Sequence, residues 1–475
     1  GQTAVCSAKI SGQLPASASF VDYVLTDDFR NCGIHPDTLP AWRVPDIIDT
    51  QAGSVHLSGE TRPVWVTVEV PRDAKPGKYK ETLSVDGQQI SLNISVSEMT
   101  LPKPSQQAFH LNLWQQPYSV ARYGKVEPWS KEHFNLLKPY AQYLARAGQS
   151  TVSAILFYEP WGEQSNDLFL PMIETTKKAD GSWSYDYRIF DRWVQFMADN
   201  GIDGIIECFT MIPWEMNFRY FDESAGEYRF LKTTTDTPEY RDLWLNFLKA
   251  FASHLKEKGW FERTMISMDE RNLSDMLNAY AIIQEAEPRF KVSLAGNYHP
   301  ELIDKLYSYT ILLTEAYPPG TVERRREKGL VTNLYTCCSR PEPNLFSNNA
   351  SADAVWIPVY CTSTGHDGYL HWSFMNWTDN PLDDSRFKLF APGDTYFIYP
   401  EGRSSVRYER LVEGIQLSEK ARLLREKFIA NGDAASLDRL EKALNPIKMG
   451  IVDTRSTTAA TVNYLKATID QLSSR

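Results

Sequence analysis

The sequence predicts an α/β chain: a (β/α)8 barrel of the TIM type, preceded by a β-sandwich domain and followed by C-terminal helices. Three observations predict it. The first hundred or so residues alternate with period two between turn signals. A long middle region alternates short apolar runs with amphipathic stretches, the pattern of a parallel sheet. The remainder has helix-forming composition. The expected boundaries are 1–104 for the sandwich and its linker, 105–400 for the barrel, and 401–475 for helices packed on the barrel.

In the first region Val64, Val66, Val68 and Val70 alternate with Trp65, Thr67 and Glu69, as in a half-buried strand. Pro76-Gly77 marks a turn, and Asp86-Gly87 is a two-residue hairpin signal between Leu83, Val85 and the alternating Ile90, Leu92, Ile94 and Val96. Leu101-Pro102-Lys103-Pro104 reads as a stiff linker.

Eight apolar runs then follow, at 109–113, 151–157, 203–209, 263–269, 291–296, 310–315, 330–337 and 367–373. Helical patterns at 131–147, 188–200, 238–258, 273–287 and 321–328 separate most of them. Eight such units suit a closed barrel. A doubly wound open sheet is the alternative, but no Gly-rich phosphate loop follows the first run. Residues 405–429 and 435–474 read as helices, with a bundle or an interface as the open alternatives for the last stretch.

The composition narrows the function classes. A net charge of −10 argues against nucleic acid and against an anionic membrane surface. The tight basic cluster Arg324-Arg325-Arg326 precedes Glu327 and reads as a solvated helix face. No apolar run reaches membrane-spanning length and no signal peptide is visible. The chain begins at Gly1 rather than Met, so a processed or trimmed form is expected, exported to the periplasm, cell surface or medium of a bacterium. The six cysteines contain no CxxC pair for zinc. Cys6 and Cys32 could form one disulfide, and the others read as buried thiols.

Active sites of such barrels lie at the C-terminal ends of the strands. Those ends carry Trp114 and Gln115, Tyr158 and Trp161, Pro213 and Trp214, then Asp269 and Glu270. Asn297 and His299, Glu315 and Tyr317, Tyr335, and finally Trp372, Asn376 and Trp377 complete the rim. Aromatic faces with a few carboxylates and amides suit sugars, whose rings are apolar on their faces and hydroxylated at their edges. There is no Cys-His cluster for a metal, and one rim histidine is no basis for a Ser-His-Asp triad. No cofactor or metal is expected.

Glycoside hydrolysis ordinarily uses two carboxyl groups. Asp269 and Glu270, at the end of the fourth strand, are the candidate catalytic pair. Adjacent residues are too close to attack opposite faces of one sugar ring. A different division of labour is therefore expected: the sugar's 2-acetamido oxygen attacks the anomeric carbon, Asp269 orients the acetamide N–H, and Glu270 acts as general acid and then base. The neighbouring charges are expected to raise one carboxyl pKa, which helps an acid stay protonated. The plainer reading is that Asp269-Glu270-Arg271-Asn272 is a charged helix start with a local ion pair. Trp114, Trp214, Asn297, Tyr317, Tyr335, Trp372 and Asn376 are the candidate substrate-binding residues, each with ordinary packing as its plainer role.

Three segments resemble glycoside hydrolase family 123, the β-N-acetylgalactosaminidases. The first is Met268-Asp269-Glu270. The second is Asn333-Leu334-Tyr335-Thr336-Cys337-Cys338 with Pro341, Pro343 and Asn344, leading to Asp367-Gly368-Tyr369-Leu370-His371-Trp372. The third runs from Gly393-Asp394-Thr395-Tyr396 through Tyr399-Pro400 to Ser405-Val406-Arg407-Tyr408-Glu409 and Glu413-Gly414. The resemblance implies a barrel behind a β-sandwich and an exo-acting, retaining, substrate-assisted enzyme. It implies release of terminal β-linked N-acetylgalactosamine from glycans such as those of glycosphingolipids, with Asp269 and Glu270 in the roles above. The expected partner is a glycan ending in an N-acetylhexosamine, and no protein partner is named. Two alternatives stand beside it: a conventional retaining glycosidase with Glu315 on the sixth strand as nucleophile, and a carbohydrate-binding protein without turnover.

Overall fold

The computed structural model describes residues 4–36, 38–340, 342–450 and 455–474; Gly1 and Pro341 lie outside them. Contacts divide the chain into two compact units. One comprises Gly1–Phe109, Cys338–Thr364 and Trp377–Arg475; the other comprises His110–Cys337 and Gly365–Asn376. The C-terminal helices thus group with the sandwich strands.

In the first unit two four-stranded antiparallel sheets face each other. One orders Ser54–Leu57, Ala4–Gly12, Gly77–Val85 and Gln88–Val96; the other orders Ser404–Ser405, Trp42–Asp49, Ala16–Thr26 and Val64–Val68. Cys6, Ala8 and Phe20 form the core between them, with Ala18, Val55, Leu57, Val64 and Val85 packed against it. Asp86 and Gly87 have φ of 46° and 80°, which is the double positive φ of a type I′ hairpin. The edge strand Ser404–Ser405 comes from far along the chain, so the sandwich is not closed by residues 1–104 alone.

Ser405 also caps the helix Val406–Asn431 by accepting from the Tyr408 N–H. Two residues on, buried Arg407 pairs with Asp46 at 2.9 Å, and Tyr399 donates to the same carboxylate at 2.6 Å. The third resemblance segment therefore holds this unit together. The pairing left open for Cys6 and Cys32 does not form: Cys6 is a buried thiol, and Cys32 bonds Cys338, 306 residues away, which corrects the reading of Cys338 as a free thiol. Sequence distance hides such a pairing because folding, not spacing, brings the two Cα atoms to 5.0 Å.

The second unit is the barrel. Its eight parallel strands are His110–Leu113, Thr151–Ile155, Ile205–Phe209, Thr264–Met268, Lys291–Ala295, Ser308–Leu312, Val331–Tyr335 and Gly368–His371. They pair in chain order, and the eighth pairs with the first. Most positions are buried on both faces, as parallel strands under helices require. Between the first and second strands the ladder shrinks to one bridge, Leu111 with Gln149. Side-chain amides complete the seam. Gln149 accepts from the Leu113 N–H at 2.9 Å and donates to the Thr151 carbonyl at 2.7 Å, and Gln115 accepts from the Ser153 N–H at 2.8 Å. Gln115 is thus committed to the barrel wall.

Two expectations need correction. The sixth strand ends at Leu312, so Glu315 lies in the turn beyond it. Arg325 does not face solvent: it is 2% exposed and donates to the Leu306, Tyr307 and Val331 carbonyls and the Thr332 hydroxyl. Five N–H donors in a fixed fork can satisfy that many buried acceptors, which a run of three arginines does not reveal.

A four-stranded sheet also interrupts the barrel pattern. Its order is Trp183–Asp186, Glu174–Lys177, Asn217–Asp222, Glu227–Lys232, and it is built from the loops after the second and third barrel strands. Phe218 anchors one face against Phe157, Tyr240 and Trp244.

Candidate active site

The fourth barrel strand ends at Met268, and the next residues turn into the helix Leu273–Ala286. The turn separates two adjacent carboxylates by environment. The Asp269 side chain is only 14% exposed, whereas Glu270 is exposed. Arg271 bonds Asp269 Oδ1 at 2.8 Å, so the local ion pair of the plainer reading exists. It also serves the site. The same guanidinium donates to the Ile212 carbonyl at 2.9 Å and to the Glu270 carbonyl at 2.9 Å, and it lies 4.1 Å over the Trp214 ring. It is a fixed cation beneath the carboxylate.

Burial pushes the Asp269 pKa up to about 6. Arg271 opposes the rise, and the Glu270 charge adds a smaller push. The raised carboxyl expected in the pair is thus the partner of the presumed acid, and desolvation is the main cause. Glu270 Oε1 accepts a hydrogen bond from the Tyr335 hydroxyl, at the end of the seventh strand. Burial and the Glu270 charge hold the Tyr335 phenol well above its ordinary pKa, so it remains a donor.

The remaining candidates divide by what their polar atoms do. Trp214 is 46% exposed beside Arg271, Trp372 is half-buried, and Asn297 is exposed at the end of the fifth strand. Trp114 is buried and stacks on Trp161 at 5.5 Å. Tyr317 donates its hydroxyl to the Tyr309 carbonyl at 2.9 Å. Asn376 is buried, accepting from Asn166 N–H and donating to the Gln164 carbonyl. Glu315 accepts from the Tyr298 N–H at 3.0 Å.

The sequence shows Arg271 only as part of a local ion pair and Trp161 only as a rim aromatic, and it gives Glu159 no role. Glu159 has a φ of 43°, unusual for a non-glycine residue, and its carboxylate accepts from the Phe169 N–H at 3.0 Å. Burial lifts its pKa to about 7. It pins the loop that presents Trp161. The available signal was Glu159-Pro160-Trp161 in the loop after the second strand. Deeper in the barrel, Glu207 accepts from Asn112 at 2.9 Å and from the Ser293 hydroxyl, which also bonds Ser267. Burial raises Glu207 to about 7. Among the described residues no His, Cys, Asp and Glu cluster could hold a metal ion, and no helix is long and apolar enough to cross a membrane.

A parallel eight-stranded barrel whose mouth joins paired carboxylates to exposed and stacked tryptophans defines a sugar-cleaving class, the glycoside hydrolases. Residues 114–424 match the glycoside hydrolase 123 catalytic domain, and residues 7–87 match the glycoside hydrolase 123 N-terminal domain. The chain belongs to glycoside hydrolase family 123. A solved family 123 glycoside hydrolase from Clostridium perfringens, described in terms of glycolipid glycan hydrolysis, is similar at 27% identity and a TM-score of 0.89, over 99% of this chain and 89% of that one. A β-glucuronidase from an uncultured Clostridium reaches a TM-score of only 0.32 at 10% identity, over 87% of this chain and 68% of that one. No curated protein matches the chain.

Proposed function

We propose that this glycoside hydrolase releases terminal β-linked N-acetylgalactosamine from glycans, those of glycolipids among them, by a retaining mechanism in which the substrate's 2-acetamido group is the nucleophile. The observation that carries the reading is the unequal pair. Asp269 is sheltered and held by Arg271, while Glu270 is open to solvent and held by Tyr335. The likeness to the Clostridium perfringens enzyme supports the substrate class.

The terminal sugar lies with its acetamide against Asp269. The acetamide oxygen forms a bond to the anomeric carbon as the glycosidic C–O bond breaks, and Glu270 passes its proton to the departing oxygen. Because Tyr335 donates to Oε1, that proton rides on Oε2. Asp269 accepts from the acetamide N–H and stabilises the positive charge that develops on the oxazolinium ring, an interaction that grows toward the transition state. Water then attacks the anomeric carbon, Glu270 takes its proton, and the ring opens to the β-sugar.

The test is hydrolysis of three aryl β-glycosides: N-acetylgalactosaminide, N-acetylglucosaminide and plain galactoside. Cleavage of the first alone is expected. Cleavage of the galactoside would remove the acetamide from the mechanism and make Glu315 the nucleophile to test.

A further inference from the structure

The insert sheet has one packed face and one open face. Phe218 points to the packed side, and the paired residues Arg219 with Phe230 and Phe221 with Tyr228 point to the other. Tyr228 and Phe230 are about half exposed, at 50% and 49%, on an edge strand. Exposed aromatics on an edge strand invite unwanted association unless they serve a contact.

These rings are held rigidly. The Arg219 guanidinium lies 4.4 Å over Tyr228 and 5.6 Å over Tyr158, and it is ion-paired to Glu174 at 3.3 Å. Phe230 meets Tyr158 edge-on at 5.4 Å, and Phe221 meets Tyr228 at the same separation. A ligand that stacks there orders no loose side chains.

The face is continuous with the catalytic pair through four residues. Tyr158 packs on Phe230, and the Pro160 carbonyl, two residues on, accepts from the Trp214 N–H at 3.0 Å. Trp214 in turn carries Arg271, the partner of Asp269. The sheet grows from the C-terminal ends of the second and third barrel strands, so it stands at the mouth. Asp269 is sheltered and Glu270 open, so the terminal sugar enters inward and the leaving group departs outward.

We propose that Trp214, Tyr158, Phe230 and Tyr228 form a stacking ledge for the sugar rings on the leaving side of the scissile bond. The proposal rests on the glycosidase reading above. Ring faces of neutral sugars match it, because the ledge offers flat apolar surfaces and the guanidiniums over its rings, Arg219 and Arg271, are already paired with Glu174 and Asp269.

The experiment compares the full-length protein with Phe230→Ala and Tyr228→Ala on two substrates ending in the same β-N-acetylgalactosamine. One is an aryl glycoside, the other a trisaccharide. Both side chains are exposed, so unchanged melting is expected and confirms folding. The expected result is a fall in kcat/KM on the trisaccharide of about tenfold, the worth of one good aromatic contact. It should appear mainly in KM, with the aryl glycoside within about twofold, inside the spread of such surface changes. Equal losses on both substrates, or no loss on the trisaccharide, would overturn the ledge. So would co-sedimentation with phosphatidylcholine vesicles that the same variants abolish, which would make the face a lipid contact. Failure of the wild type to cleave either substrate would instead defeat the N-acetylgalactosaminidase reading.

Discussion

Asp269 and Glu270 are neighbours in sequence, yet the turn after the fourth strand gives them different surroundings. Burial works against the Asp269 charge and Arg271 works for it, with a balance near pH 6. The acetamide needs the ionised form, so activity should decline as pH falls through about 6. Arg271→Met removes the lowering influence. The acid limb of kcat/KM should then move to higher pH, with a larger loss at pH 6 than at pH 8. An unmoved limb would assign it to another group. Glu270→Gln should lose most turnover on poor leaving groups and much less on activated aryl glycosides, where protonation matters little. Equal loss on both would count against the acid role. Tyr335→Phe should show the same bias in weaker form, since it removes only the bond that orients Glu270.

At the level of elements, the barrel has one weak joint and one buried acid. The first two strands share a single bridge, and Gln115 and Gln149 supply the missing ladder bonds. Glu207, on the third strand, accepts from the first and fifth. Its folded pKa, about 7, lies above that of an unfolded chain. The folded form therefore holds the proton more tightly. The resulting stability is full below about pH 4.5 and is lost as pH rises through 7. The window is worth roughly 3 kcal/mol. Glu207→Gln keeps a neutral amide in the same place. Denaturant unfolding should show the variant matching wild type near pH 5 and exceeding it at pH 8. A parallel pH dependence in the two proteins would reject this account.

Across the whole molecule, distant segments close the first unit. Ser404–Ser405 completes a sheet begun near the N-terminus, and Arg407 meets Asp46. The Cys32–Cys338 disulfide spans 306 residues within that unit. A cross-link over so long a loop restricts the unfolded chain by about 3–5 kcal/mol. Reductant, or Cys32→Ser, should lower a melting transition while leaving kcat at 25 °C unchanged, because no catalytic group touches either sulfur. An unchanged melting profile would show the bond to be marginal.

The sequence by itself determined the alternation of strands and helices, the Asp86-Gly87 hairpin and the strand-end position of Asp269 and Glu270. Each depends on local periodicity or on neighbours along the chain, which sequence displays directly. The family segments were legible too, and the third caps a helix and pairs Arg407 with Asp46. Only the tertiary structure decided which carboxylate is sheltered, what Arg271 bonds, where Arg325 goes, and which cysteine Cys32 meets. It also revealed the aromatic sheet lying in loops between barrel strands. These depend on burial and on contacts between residues far apart in the chain. Desolvation and non-local pairing leave no periodic trace in sequence, because they arise only when folding removes water and brings those residues together.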